Sequence, residues 1–214
     1  MKKILLLGLT VLLFSSCIGM SANIQLRRDG SGRLVLEYRF SRMAEAIGRL
    51  DGNERWNIIP TGRADWERTV QRIDGMSLVS FSSRESSSDI SNSVTLEFRN
   101  VQALLNFLDP LGGKAALSME NDTGNLRIIL SEPVSSFINA DLIELLKQVS
   151  AGYSFNINFG TYKNSTLSFT DGTGKEIEPP TAATIIPDGR RVSMEIATSD
   201  MLDLRDGLGV IFNW

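Results

Sequence analysis

The chain carries few side chains that could perform covalent chemistry. Cys17 is its single cysteine, and the sequence of 214 residues contains no histidine. Histidine is the commonest general base and zinc ligand, so Ser-His-Asp and Cys-His arrangements are excluded. A single cysteine also excludes an intramolecular disulfide. This inventory predicts a protein that is not an enzyme and that has no metal or other cofactor.

Two short motifs contain residue types found in enzyme sites. Asp122-Thr123-Gly124 has the composition of an aspartic protease triplet, but polar residues precede it and no second copy exists. We predict a hairpin turn there. Gly172-Thr173-Gly174-Lys175 lacks the glycine five residues before Gly174 that a phosphate-binding loop requires, and it is predicted to be a polar loop.

Two groups of carboxylates could be considered for calcium. They are Glu176 with Glu178, and Asp200 with Asp203 and Asp206. Neither group has the dense series of oxygen ligands that a calcium loop supplies, so solvated side chains are favoured. A glycosidase would need two carboxylates facing each other at about 5 to 10 Å, and no spacing here nominates such a pair.

The first residues have the three-part layout of an export signal. A Lys-Lys pair precedes an apolar run over residues 4–14, and the small residues Ser15 and Ser16 stand just before Cys17. The run is shorter than the roughly 20 residues that cross a bilayer core. We therefore expect residues 1–16 to be a signal peptide.

The segment Phe14-Ser15-Ser16-Cys17 resembles the lipobox of bacterial lipoproteins. In that family a diacylglycerol is attached to the cysteine sulfur and the signal is cleaved just before it. The resemblance implies cleavage between Ser16 and Cys17 and lipidation of Cys17 with fatty acids such as palmitate. Phe and Ser stand where Leu and a smaller residue are usual. A lipidated tether over residues 17–22 would hold the protein at a membrane of the cell envelope, facing the periplasm or the exterior.

Composition predicts one globular domain over residues 23–214. Hydrophobic residues make up 42% of the chain and charged residues 22%, which is ordinary for a folded domain. The net charge of -3 argues against a nucleic acid partner.

Alternating apolar and polar residues predict strands. The clearest hairpin has strands at 23–28 and 33–40 around Asp29-Gly30-Ser31-Gly32. Further strands are predicted at 76–81, 93–98, 115–119, 126–130, 153–159, 166–169 and 192–196, and an apolar run at 208–214 closes the chain. The serine-rich segment 82–93 and the segment 171–189 are predicted to be loops.

Helical spacing of apolar residues predicts four longer helices and a short one near residues 201–204. The first follows Ser41 and carries Met43, Ile47 and Leu50. The second has Trp66 on its apolar stripe, the third is capped by Asn100, and the fourth spans 142–149. Trp66 is thus expected in the core, whereas Trp56 and Trp214 could also line a groove or touch a bilayer.

A strand pattern recurs at Leu34–Tyr38, Val94–Phe98 and Val192–Ile196, each followed by a helix-like segment. Alternate residues share one face, so Glu37, Glu97 and Glu195 should point away from the buried side. The predicted fold is α+β, with an antiparallel twisted sheet built from hairpins and helices packed on one face.

These units, the opening hairpin and the lipidated start together resemble the LppM-like class of bacterial lipoproteins. The resemblance covers residues 23–50 and 190–214 and includes no catalytic motif. It implies a domain that faces the envelope.

Two functions remain open at this point. The first is a membrane-anchored envelope lipoprotein whose domain binds or scaffolds another envelope component, such as a protein. The second is a carrier of a lipid or other hydrophobic ligand, held in a cavity between the sheet and the helices at 101–108 and 142–149.

Overall fold

The computed structural model describes residues 18–42, 62–120, 123–133 and 140–214. The predicted signal peptide, Cys17, and the helix predicted to carry Met43, Ile47 and Leu50 lie outside these residues. Trp56 also lies outside them.

Strands dominate the described part of the chain. The strands are β1 (Ile18–Leu26), β2 (Gly32–Ser41), β3 (Met76–Glu85), β4 (Asp89–Phe98), β5 (Ala115–Glu120), β6 (Thr123–Ser131), β7 (Ser154–Gly160), β8 (Thr166–Thr170), β9 (Glu176–Ile177), β10 (Thr184–Asp188), β11 (Arg191–Ala197) and β12 (Leu208–Asn213). The helices are α1 (Arg63–Gln71), α2 (Val101–Leu108), α3 (Ala140–Val149) and α4 (Thr198–Met201). The fold is thus a sheet-dominated α+β fold.

The strands form two sheets. The large sheet has seven strands in the order β10-β11-β7-β1-β2-β4-β3, and the small sheet has five in the order β5-β6-β12-β8-β9. Strand β1 lies inside the large sheet, where it pairs antiparallel with β2 and parallel with β7. Antiparallel hairpins form the pairs β1–β2, β3–β4, β5–β6 and β10–β11, as the predicted fold requires. The structure differs from the prediction in having two sheets and one parallel pair, β1–β7.

The large sheet has one apolar and one polar face. Along β2, Leu34, Leu36 and Tyr38 are buried, whereas Arg33, before them, and Glu37, between the last two, are exposed. Strand β4 alternates in the same way. The predicted outward direction of Glu37, Glu97 and Glu195 is confirmed, since the residues on both sides of each are buried.

Aromatic rings join the two sheets. Phe159 of β7 stacks on Phe212 of β12 with ring centroids 4.8 Å apart, and the Trp214 ring lies 5.3 Å from Phe159. All three side chains are buried. Trp214 therefore belongs to the core between the sheets, where burial of large aromatic area provides much of the stabilisation.

Helices α1 and α2 contribute to the same core. Trp66 of α1 is buried, as predicted, and its ring stacks on Phe107 of α2 at 6.1 Å. Its indole Nε1 donates a hydrogen bond of 3.1 Å to the Tyr38 hydroxyl on the apolar face of the large sheet. Asn100 caps α2 as predicted, with its side-chain oxygen accepting from the backbone N–H of Ala103.

The predicted loop over residues 82–93 is instead a strand hairpin. Strand β3 continues to Glu85 and β4 begins at Asp89, and Ser86 Oγ accepts hydrogen bonds from the N–H groups of Ser88 and Asp89 in the turn. Serine side chains on the polar face leave the backbone ladder intact, so composition alone hides these strands.

Two further boundaries differ from the prediction. The segment 171–189 contains β9 and β10 and is not one loop. Residues 18–22, expected in a tether, belong to β1, because this strand gains hydrogen bonds from neighbours on both sides. In the parts of the chain that are described, no helix has the length and apolar character to span a bilayer.

The outer strands of the large sheet are irregular. Strand β3 carries a bulge between Leu78 and Ser80, and Val79 within it is 47% exposed. At the opposite edge, β10 contains Pro187.

Replacing Phe159 by alanine should lower the free energy of unfolding by about 3–5 kcal/mol, because it removes a buried ring that joins the two sheets. Leu111 is 96% exposed, so Leu111→Ala should change it by less than about 0.5 kcal/mol. Urea unfolding followed by circular dichroism measures both, and Phe159→Leu provides a milder variant. Equal losses for Phe159→Ala and Leu111→Ala would contradict the assigned core.

Candidate functional site

A groove on the polar face of the large sheet is the candidate site. It has a volume of about 620 Å³ and is lined by strands β1, β2, β3, β4 and β7 and by Gly152 before β7. Clefts of this size accommodate small molecules or the polar part of a larger one. We call it the polar groove.

Strand register places one row of short polar side chains across its floor. Ser82 pairs with Ser93, Ser93 with Glu37, Glu37 with Ser21, and Ser21 with Asn156. Directly paired residues share a face, and strands are about 4.8 Å apart, so this serine row extends about 19 Å over five strands.

A second row lies two residues along the strands. Arg84 pairs with Ser91, Ser91 with Arg39, and Arg39 with Gly19. We call it the arginine row. Its two guanidinium groups flank the serine row on the side where β1 begins.

The outward-facing glutamates of this sheet differ in their partners, and Glu37 is the one that lies in the polar groove. Glu97, on the same face, pairs with Arg33 at 2.9 Å. Within the described segments, by contrast, the side chains of Glu37, Ser21 and Ser93 form no hydrogen bond or ion pair. The middle of the serine row therefore presents an acceptor and hydroxyl groups that are available to a ligand.

Asn156 of β7 is the last residue of the serine row. Its side-chain Nδ2 donates a 3.1 Å hydrogen bond to Ser154 Oγ, which fixes the orientation of the amide.

Tyr153 forms the rim of the polar groove beside the arginine row. Its hydroxyl donates a 2.7 Å hydrogen bond to Asp89 Oδ1, and Ser88 Oγ donates to Asp89 Oδ2 at 2.6 Å. The guanidinium carbon of Arg39 lies 4.7 Å from the centroid of the Tyr153 ring, and Arg39 Nη2 donates to the Gly152 carbonyl at 2.8 Å. These contacts attach the segment before β7 to β2 and to the start of β4.

The rim also shifts two pKa values. Burial, followed by the hydrogen bond to Asp89, raises the pKa of Tyr153 to about 12. The Ser88 hydroxyl, followed by the Tyr153 hydroxyl, lowers the pKa of Asp89. Tyr153 therefore stays a neutral donor and Asp89 a charged acceptor over the physiological pH range.

Gly19 leaves room for this arrangement. A Cβ atom at that position would lie 3.3 Å from Tyr153 Cδ1, closer than an ordinary contact. A larger residue there would push the ring away from Arg39.

The other residues that the sequence singled out either line no part of the polar groove or lie outside the described residues. Cys17 and Ser16 lie outside the described residues, as does Asp122, while Thr123 and Gly124 begin β6. In Gly172-Thr173-Gly174-Lys175, the N–H groups of Thr173 and Lys175 both donate to Asp171 Oδ1. These donors are thus used inside the turn, in agreement with the predicted polar loop.

The carboxylate groups are likewise dispersed. Asp203 forms an ion pair with Lys147 at 2.5 Å, and Glu176 lies in the short strand β9. Considering only the described residues, no group of three or more histidine, cysteine or carboxylate side chains could hold a metal ion.

Sequence reasoning did not identify the polar groove. Glu37 was expected only to face outward, and the serines of 82–93 were assigned to a loop. Alternation of serine with Ile90 and Val94 was an available signal for a strand, but the pairing of β1 with β7 could not be deduced from local pattern.

The side chains that line the polar groove are not those expected for a hydrophobic carrier. The cavity expected for a hydrophobic carrier would lie beside the helices at 101–108 and 142–149. In the first of these helices, Leu104 is fully buried in the core. The side chains of Leu142, Leu145, Leu146 and Val149 lie outside the described residues.

Changing Tyr153 to phenylalanine removes the hydroxyl that donates to Asp89, and should lower the free energy of unfolding by about 1 kcal/mol near neutral pH. A raised pKa in the folded state stabilises the fold below the ordinary tyrosine pKa of 10.0, and this contribution is lost as pH rises towards about 12. The lowered pKa of Asp89 stabilises the fold above 3.8 and loses that effect as pH falls through the folded-state value.

The destabilisation caused by Tyr153→Phe should therefore be largest at neutral pH, and it should shrink as pH falls through the Asp89 pKa or rises above 10.0 towards about 12. Urea unfolding at a series of pH values measures this difference. A difference that does not change with pH would show that the Tyr153–Asp89 hydrogen bond does not contribute to stability.

No protein-family model matches the chain, and no curated protein matches it. Among solved structures, the chain is similar to the NMR structure of the folded domain of the Mycobacterium tuberculosis protein LppM. The TM-score is 0.36 and the sequence identity 10%, over 85% of this chain and 90% of that chain. A likeness at this level assigns neither a fold family nor a function to this chain.

Proposed function

We propose that this protein is a membrane-anchored lipoprotein of the bacterial cell envelope, and that its domain binds another envelope component without catalysing a reaction. Residues 1–16 would direct export, Cys17 would carry the lipid, and the polar groove would be the binding surface. The domain would face the periplasm or the exterior.

One observation carries the binding part of this proposal. The serine row offers hydroxyl, amide and carboxylate groups in one line, and the central ones have no partner among the described side chains. Polar groups that converge in a groove usually serve to orient and select a ligand. Glu97, on the same sheet but outside the polar groove, is instead paired with Arg33.

The character of the polar groove favours one of the two functions considered from the sequence. Serine, asparagine, glutamate and arginine make up most of its lining, beside Met20 and Tyr38, and favour a ligand or partner with a polar surface. A hydrophobic ligand would leave these groups without hydrogen bonds, at a cost in free energy. The binding function is therefore preferred over the hydrophobic carrier.

Lipidation can be tested at Cys17 directly. Cells supplied with alkyne-labelled palmitate should label the wild-type chain, and Cys17→Ala should abolish the label because the sulfur that accepts the lipid is gone. Ser16→Ala places a residue usual in the lipobox before the cysteine and should retain the label. Labelling that persists in Cys17→Ala would show that Cys17 is not the acylated residue.

Binding through the polar groove can be tested in living cells by photocrosslinking. A benzoylphenylalanine at Ser93, on the floor of the polar groove, should yield an adduct of defined mass after irradiation. The same residue at Gln102, exposed on α2, serves as the control. An adduct spectrum that is identical at the two positions, or no adduct at Ser93, would argue against the polar groove as the binding surface.

A further inference from the structure

The start of β1 brings the polar groove close to the proposed anchor. Gly19 of the arginine row lies two residues after Cys17, and Ser21 of the serine row lies four residues after it. Even a fully extended chain spans at most roughly 7 Å over two residues and roughly 14 Å over four. With Cys17 lipidated, both rows would be near the membrane surface. This step depends on the proposed function.

The chemistry of the two rows changes with distance from the anchor. The nearer row contains the cations Arg39 and Arg84, and the farther row contains the hydroxyls of Ser21 and Ser93 with the Glu37 carboxylate between them. A phospholipid headgroup has the same order, since its phosphate lies next to the acylated glycerol and its polar substituent lies farther out. The arginine row would therefore lie at the level of the phosphate, and the serine row at the level of the polar substituent.

Both arginines can interact with a phosphate. Arg39 is already oriented by the Tyr153 ring and by its hydrogen bond to the Gly152 carbonyl, so less side-chain freedom is lost when a ligand binds. Arg84 is exposed and, among the described residues, has no hydrogen bond or ion pair. Guanidinium groups bind phosphate oxygens through charge-assisted hydrogen bonds.

Two of the nearby carboxylates already have other partners and therefore compete less for Arg39 and Arg84. Glu85 pairs with Arg42 at 2.6 Å, and Asp89 accepts hydrogen bonds from Tyr153 and Ser88. Glu37 is the carboxylate on the floor of the polar groove. It would repel a second phosphate but would accept hydrogen bonds from ligand hydroxyls.

We infer that the polar groove binds the headgroup of a membrane phospholipid in which the phosphate carries a polyol. The phosphate contacts Arg39 and Arg84, and the polyol hydroxyls contact the serine row and Glu37. A volume of about 620 Å³ is sufficient for such a headgroup. The acyl chains of this lipid stay in the bilayer, beside those carried by Cys17.

Native mass spectrometry of the full chain, purified from cells in detergent, tests this inference. The probes are phosphatidylinositol and phosphatidylglycerol, which carry polyols, with phosphatidic acid and phosphatidylcholine, which do not. Adducts of the first two should form at about tenfold lower lipid concentration. Equal binding of all four lipids, or a preference for phosphatidic acid, would overturn the inference.

Matched variants locate the contact. Arg84→Gln should weaken phosphatidylinositol binding about tenfold, whereas Arg99→Gln, exposed at the opposite end of β4, should not. Glu37→Gln should reduce the preference for phosphatidylinositol over phosphatidic acid, whereas Glu195→Gln, exposed on the same face beyond Asn156, should leave it unchanged. Loss of binding in both members of a pair would indicate a nonspecific charge effect and overturn the assignment.

A competition experiment distinguishes a membrane lipid from a soluble phosphorylated polyol as the ligand. Inositol 1-phosphate should displace phosphatidylinositol only at a large excess, and displacement at equal concentration would identify a soluble ligand instead. The anchor is tested independently by the alkyne-palmitate label. A chain that shows headgroup selectivity but carries no label would refute lipidation and would leave headgroup recognition supported.

Discussion

The position of strand β1 is the constraint on which the rest of the structure depends. It is hydrogen-bonded on both sides, to β2 in antiparallel and to β7 in parallel register. Because side chains alternate, a shift by one residue would bury Ser21 and Asn23 and would expose Ala22 and Ile24. The burial of this apolar set, more than any polar contact, therefore fixes which side chains reach the polar groove.

Strand β7 connects the polar groove to the core between the sheets. Its buried residue Phe159 stacks on the small sheet, while Asn156 faces the polar groove from the same strand. The segment just before β7 is held by Arg39 and Asp89 through Tyr153. A site that would otherwise be an open sheet surface thus acquires one rigid wall.

Local features of the fold could be predicted from the sequence, because they depend on residues near one another in the chain. The first hairpin, the cap at Asn100 and the buried Trp66 follow from turn chemistry and apolar spacing. The second sheet and the parallel pair depend on contacts between distant segments, which periodicity does not encode. The prediction for β3 and β4 was wrong in the segment 82–93. Its high serine content suggests a loop, although the alternation of apolar and polar residues there is typical of a strand.

The same distinction explains why the polar groove was missed. Its floor combines residues from five strands, and the β1–β7 and β2–β4 pairs that bring these strands together were not predicted. No single segment carries a motif. A site of this kind can be recognised only after the order of the strands is known.

The two irregular edges of the large sheet bear on how crowded copies of the protein behave. Copies attached to one bilayer would be concentrated in two dimensions and would meet edge to edge. Under these conditions exposed edge strands of different copies can pair and form fibres. Pro187 in β10 has no N–H to donate across such a seam, and the bulge at Val79 breaks the regular ladder of β3. Both edges therefore oppose polymerisation, and copies held on a membrane by the proposed anchor would remain free to diffuse separately.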